Sequence, residues 1–325
     1  MIDFEYVDVK SLKGLPELLD QEEGRSVVLA GGTDLLDRLK ERLEQPERVV
    51  NVKGIEKMQG IEYGDGLDIG ALTTIAALAD DERIQRDYPA LAQAAASIAT
   101  PQLRNMGTLG GNLCQRPRCW YFRDQESHCR KKGGARCFAR RGLNKNHAIF
   151  GDGPCYIVHP SDSAPALQAL GAQLEIAGPK GKRETPVEGF FQMPDENILG
   201  ENSLGENEVI VRIRVPKPAM GTRSTYLKFR AKQSLDFAVS SVAAVLQMDG
   251  GQVQAARLVL GGVAPIPWRC AAAEAELEGK GLTDAAIGRA ADAAVADAQP
   301  MSDNQYKVRL TRNLVRQALE SLKEG

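Results

Sequence analysis

Histidine and cysteine are scarce in this chain of 325 residues, three and six respectively, and nearly all of them fall in one stretch. No apolar run approaches the roughly 20 residues that a helix needs to cross a bilayer, so no membrane span is expected. The first residues, MIDFEYVDVKSLKGL, contain no charged-then-apolar leader and read as a strand. Maturation in the cytoplasm is therefore expected, where thiols stay reduced; export into the periplasm beside a signal-bearing partner is the alternative. A net charge of −2 gives no general reason to expect nucleic acid or a membrane surface. There is no CxxC pair, which argues against zinc ribbons and bacterial ferredoxin runs. There is no GxGxxG fingerprint, so a standard dinucleotide fold is not supported. Internal repeats, low-complexity tails and a nucleophile–base pair for substrate chemistry are also missing.

What is present is concentrated. Five of the six cysteines and all three histidines lie between Cys114 and His159, in NLCQRPRCWYFRDQESHCRKKGGARCFARRGLNKNHAIFGDGPCYIVHPSD with its flanks. Thiol and imidazole are soft metal ligands. The cysteines are spaced Cys114-x4-Cys119-x9-Cys129-x7-Cys137-x17-Cys155, and spacing alone leaves zinc and iron–sulfur close to even. Between residues 114 and 155 ten Lys or Arg face three acids, a net charge of +7 in an otherwise acidic protein. Such charge lowers thiol pKa values, offsets a metal site's negative charge and can steer an acidic partner. Cys270 reads as a small buried hydrophobe, and His128, His147 and His159 as loop or capping residues.

Hydrophobic content of 43% and charged content of 26% are those of an ordinary globular protein of two or three domains. Strand patterns at 26–30 (SVVLA) and 48–52 (RVVNV) flank a helical DLLDRLKERL, and a hairpin is expected around Gly64-Asp65-Gly66. Residues 72–99 read as Ala-rich helix ending at Thr100-Pro101. A helix is expected over 163–170, strands over 172–177 and 208–215, and a loose stretch over 178–205. Past a linker at 216–221 (PKPAMG), three strand patterns and several Ala-rich helices form an α+β unit.

Two glycine loops suit close backbone approach to a phosphate or a flat ring. The first is Ala30-Gly31-Gly32-Thr33-Asp34-Leu35, at a strand-to-helix turn; its plain reading is an ordinary βα turn with Asp34 as a cap. The second, RNMGTLGGNL at 104–113, opens the cysteine window. At His159-Pro160-Ser161-Asp162, Ser161 and Asp162 are good N-cap residues, while Asp162 could equally accept a ribityl or ribose hydroxyl.

AGGTDLL at 30–36, TPQLRNMGTLGGNL at 100–113, HPSDSAPALQALGA at 159–172, YLKFRAKQSLDFAVSSVAA at 226–244 and LGGVAPIPWR at 260–269 together resemble the FAD-binding subunit of the xanthine dehydrogenase/molybdenum hydroxylase family, over essentially the whole chain. The resemblance implies an α+β fold: a two-part FAD-binding domain like that of vanillyl-alcohol oxidase, then an α+β C-terminal domain with a three-stranded antiparallel sheet. Its expected units are 1–55, 56–217 and 218–325. Most of the family runs straight from the GGNL loop to the SD turn, whereas this chain carries an insertion over about 115–156. Such an insertion is similar to that of aldehyde oxidoreductases and of 4-hydroxybenzoyl-CoA reductase, whose flavin subunits hold an extra 4Fe–4S cluster; RCWYFR and NHAIFG look closer to the aldehyde branch. The resemblance implies FAD held by Val27, Val28, Leu29, Ala30, Gly31, Gly32, Thr33, Asp34 and Leu35, with Thr108, Gly111, Asn112, Asp162 and Lys228. It implies cluster ligation by Cys119, Cys129, Cys137 and Cys155, with Cys114 left over. The expected partners are a large molybdenum-cofactor subunit and a small 2Fe–2S subunit. An acidic external carrier such as ferredoxin would dock on Arg130, Lys131 and Lys132. A zinc-stabilised binding module and a free-standing flavoenzyme are the competing readings.

Overall fold

The computed structural model describes residues 2–19, 25–233 and 235–323. Among the described residues, twelve strands form three sheets. The first sheet is parallel, ordered β1-β3-β2, from β1 (Glu5–Asp8), β2 (Ser26–Leu29) and β3 (Arg48–Asn51). Parallel neighbours need a crossover, supplied between β2 and β3 by the helix Leu35–Lys40. Leu35 and Leu39 of that helix pack on Val49, Val27 and Leu29.

The second sheet is antiparallel and ordered β4-β5-β8-β6-β7, from β4 (Ile61–Gly64), β5 (Gly66–Gly70), β6 (Gln173–Gly178), β7 (Gly181–Pro186) and β8 (Val209–Val215). Its buried face carries Ile69, Leu174, Ile176 and Ile213 against Leu78, Leu91, Leu109 and Leu113 of the helical layer. The third sheet, ordered β12-β11-β10-β9, joins β9 (Thr222–Phe229), β10 (Ser240–Asp249), β11 (Gln252–Gly261) and the two-residue β12 (Trp268–Arg269). It is thus the expected three-stranded sheet with one short edge strand added. Helix Tyr306–Ser321 covers one face, and helix Asp284–Ala293 packs on that helix, with Ile287, Ala290, Val315 and Leu319 in the shared core.

Two expectations change. The Ala-rich 72–99 is three helices, Ile75–Asp80, Glu82–Asp87 and Pro89–Ser97. Asp81 caps the second, its carboxylate accepting from Arg83 N and Ile84 N at 2.9 and 3.0 Å, and Pro89 opens the third at the position proline tolerates. Within the expected loose stretch, Gly181–Pro186 is an edge strand paired with β6. Residues 115–156 contain no strand, only the helix Trp120–Arg123 and single turns at Arg130–Lys132 and Phe138–Arg140. Their far end is fixed by Ile149 and Phe150, which enter the C-terminal core; Phe150 stacks on Trp268 at 5.1 Å. No described helix is long and apolar enough to cross a membrane.

Candidate functional site

A cavity of about 280 Å³ opens where the end of β2, the 98–115 loops, the SD turn and β9 meet. Of the residues expected to hold FAD, Val28, Ala30, Gly31, Gly32, Thr33, Asp34, Leu35, Thr108, Gly111, Asn112, Asp162 and Lys228 line it. Val27 and Leu29 do not: strand alternation turns their side chains to the opposite face of β2, toward Leu39 and Val49. The two glycine loops are pressed together. A Cβ on Gly31 would stand 2.0 Å from Met106 O, and one on Gly110 would stand 2.9 Å from Ala71 Cβ. Gly32 adopts φ +72°, the left-handed turn that leads into the helix. Thr108 Oγ1 accepts from Gly111 N at 3.2 Å and so fixes the second loop.

The SD turn divides its work. Ser161 Oγ is the cap, accepting from Ala164 N at 3.1 Å while donating to Asn112 Oδ1 at 2.6 Å. Asp162 makes no cap bond. Its buried carboxylate instead accepts from Tyr226 OH at 2.6 Å and Lys228 Nζ at 2.7 Å, and Lys228 also reaches Ser97 O at 3.2 Å. Burial and the Asp162 charge hold the Tyr226 phenol well above its usual range. Wall residues beyond those expected to hold the cofactor include Ile98, Ala99 at φ +46°, Leu103, Arg118, Leu235 and Phe237. Apolar walls, a charged polar end and glycines that admit no Cβ fit a flat ring joined to phosphates. Cys114 also lines this cavity, its thiol pushed up to about 12 chiefly by burial.

Asp34 does not cap its helix. Its carboxylate gathers the insertion: Arg118 Nη1 at 2.5 Å, Arg123 Nη2 at 2.8 Å, Arg116 N at 3.0 Å and, from its own helix, Arg38 Nε at 3.2 Å. Burial alone would raise this group, but those cations and the amide outweigh it and hold Asp34 below the usual carboxylate range. Glu44 pairs with Arg25, Arg38 and Arg116, and Glu201 with Arg116 at 2.8 Å and Lys131 at 2.9 Å. Lys131, 3% exposed, is therefore not a docking residue. The window's charge splits in two: an inner set neutralised by the chain's own acids, and an outer set. Arg130, Arg136, Arg140, Arg141 and Lys145 are exposed and without an ion pair among the described residues.

Between the two sets, Cys119, Cys129, Cys137 and Cys155 line one small cavity of about 10 Å³ with Lys131, Tyr121 and Phe138. All six cysteines are free thiols. The Cys137–Cys155 hydrogen bond pulls the Cys137 thiol down and pushes Cys155 up, while burial raises Cys119 to about 11. Cys119 Sγ lies 3.2 Å from Nε2 of His147, a buried ring pulled down to about 4 by burial and by Lys307. Gly134 closes the turn after Cys129, where a Cβ would sit 2.0 Å from His128 O. No three His, Cys, Asp or Glu among the described residues stand ready to grip one metal ion. Cys270 lies in the C-terminal core, His128 is exposed, and buried His159 accepts from Ser161 N at 3.3 Å.

The FAD-binding domain of molybdopterin dehydrogenases matches residues 2–218, and the C-terminal domain of CO dehydrogenase flavoproteins matches residues 224–322. The aldehyde oxidoreductase FAD-binding subunit PaoB of Escherichia coli K12 is 38% identical, covering 90% of this chain and 89% of its own. The carbon monoxide dehydrogenase medium chain of Hydrogenophaga pseudoflava is 33% identical, over 98% and 96%. A solved structure of carbon monoxide dehydrogenase from the same organism, lacking the Mo-pyranopterin moiety of its cofactor, superposes with a TM-score of 0.79. It covers 99% of this chain and 98% of its own at 33% identity.

Proposed function

The chain belongs to the FAD-binding subunits of the xanthine dehydrogenase/carbon monoxide dehydrogenase family of multi-subunit molybdenum oxidoreductases, and on that premise we propose that it is an electron-transfer subunit carrying both FAD and a 4Fe–4S cluster. The observation that carries the cluster is the convergence of Cys119, Cys129, Cys137 and Cys155 on one cavity, with Cys114 and Cys270 elsewhere. In a cubane each thiolate takes its own iron, so the four sulfurs stand farther apart than on a single ion. Four thiols gathered around one cavity supply the number of donors that a cubane needs. The 38% identity to an aldehyde oxidoreductase subunit supports the aldehyde branch, with substrate chemistry on a molybdenum subunit and 2Fe–2S clusters on a small one.

FAD, when bound, supplies conversion between two-electron and one-electron transfer. This chain's part is to hold it. The Gly31-Gly32-Thr33 turn offers backbone N–H groups to the pyrophosphate; Thr108, Gly111 and Asn112 face the ring; Asp162 and Lys228 orient the hydroxylated part. Buried Lys131 lies beside Cys155, and its charge offsets part of the rise that Cys137 and burial impose on that thiol. The exposed Arg130, Arg136, Arg140, Arg141 and Lys145 form the surface on which an acidic carrier such as ferredoxin docks. Three units, 1–55, 56–217 and 218–325, are supported by one sheet in each. The absorption spectrum of anaerobically purified chain tests the reading: flavin bands with a broad shoulder across the visible blue are expected. A colourless protein with stoichiometric zinc would replace it with the binding-module reading, and flavin bands alone with a flavoprotein lacking the cluster.

A further inference from the structure

Resting on the cluster reading, we infer that His147 is a positioning residue for electron transfer: it donates its Nε2–H to the Cys119 sulfur and so raises the cluster's reduction potential. A metal-bound cysteine sulfur carries no proton. A 3.2 Å contact between it and a ring nitrogen is therefore a hydrogen bond only with the proton on nitrogen. The opposite nitrogen, Nδ1, is buried and makes no hydrogen bond of normal geometry among the described residues, and the Asn144 carbonyl is the acceptor that competes for the ring's proton. With Cys119 Sγ 3.2 Å from Nε2 and no partner of normal geometry at Nδ1, the contact geometry places a ring proton at Nε2.

The ring is held from outside the insertion. The carbonyl of His147 accepts from Lys307 Nζ at 2.9 Å and from Asn304 Nδ2 at 3.2 Å, and both residues are fully buried in the C-terminal domain. Trp120 packs edge-on against the imidazole at 5.1 Å. Backbone anchor and ring contact leave the imidazole little freedom to leave the sulfur. One electron passed to such a cluster from flavin held on this chain would add negative charge to its sulfurs. An N–H aimed at one of them favours the reduced state, which is how hydrogen bonds to cysteine sulfur set cluster potentials.

The test is an EPR-monitored redox titration of the full chain, loaded with iron and sulfide, as wild type, His147→Phe and His147→Gln. The phenylalanine keeps bulk and loses the donor. At the wild-type midpoint its ratio of reduced to oxidised cluster falls roughly tenfold, as for the loss of one hydrogen bond to a charged group. The glutamine, which keeps an N–H, recovers most of that ratio. One midpoint shared by all three loaded proteins overturns the inference. If His147→Phe does not hold iron, pulsed EPR on wild type labelled with ¹⁵N-histidine decides. A weak imidazole-nitrogen coupling sustains the hydrogen bond; no coupling, or one strong enough for direct iron ligation, overturns it. A wild type that binds no sulfide-bearing cluster defeats the cluster reading itself, a different failure with a different signature.

Discussion

Asp162 and Asp34 show how one residue type, in one sequence context, serves different ends. Both sit at the start of a helix, where an aspartate reads as a cap, and neither caps. Each carboxylate turns to cations from a distant part of the chain: Lys228 for Asp162, and Arg118 and Arg123 for Asp34. Those partners lie dozens of positions away, so no local pattern could name them. The glycines are the opposite case, because a Gly-Gly at a strand-to-helix turn announces a close approach, and Gly31 has one. Gly31→Ala puts a methyl into the Met106 carbonyl, and since backbone cannot swing aside as a side chain can, the two loops must part. We expect a loss of about 2 kcal/mol or more in stability, with bound flavin per chain falling in parallel. Gly153→Ala, whose Cβ meets nothing within 4 Å, is the control and keeps its flavin. Equal flavin content in both variants would contradict this account of the cradle.

At the scale of elements, apolar and β-branched runs made β3, β8 and β10 legible, and the same rule failed at Gly181–Pro186. GKRETP is a polar edge strand whose outer side meets no further strand, so its pattern carries no burial signal. The Ala-rich run was legible as helix but not as three helices, because Asp81 and Pro89 act as start signals inside a composition that favours helix throughout. The insertion was legible as a distinct segment from its cysteines. Its anchoring was not, since Asn304 and Lys307 lie on and before a helix that reads as an ordinary amphipathic one. Lys307 is fully buried, donating to His147 O and to Gly262 O at 2.6 Å, and burial pulls it down to about 7. In the unfolded chain it titrates at about 10.4. Between these values the unfolded state holds a proton that the folded state has released, so stability rises with pH across that window and the burial penalty is complete below it. Denaturant midpoints of the full chain should increase from pH 7 toward pH 10 by more in wild type than in Lys307→Met. Parallel pH profiles would show that Lys307 keeps an ordinary affinity for its proton.

For the whole molecule, the division of the basic window into clamped and free cations is what connects fold to function. Arg116, Arg118, Arg123 and Lys131 are used internally, tying the insertion to Asp34, Glu44 and Glu201. Only the outer set can meet a partner. Reversing Arg130, Arg136 and Arg140 to Glu together should cut the rate of electron exchange with a ferredoxin at least tenfold at low salt, with the difference shrinking as ionic strength rises. The same rate in the triple variant would remove the docking surface. The central claim is that four particular cysteines of six hold a 4Fe–4S cluster beside the flavin, and iron with acid-labile sulfide measured per chain across single Cys→Ser variants tests it most directly. Wild type, Cys114→Ser and Cys270→Ser should each contain about four irons and four sulfides, and serine at Cys119, Cys129, Cys137 or Cys155 should lower both. Zinc without sulfide in the wild type, or iron lost in Cys114→Ser and kept in Cys119→Ser, would contradict it.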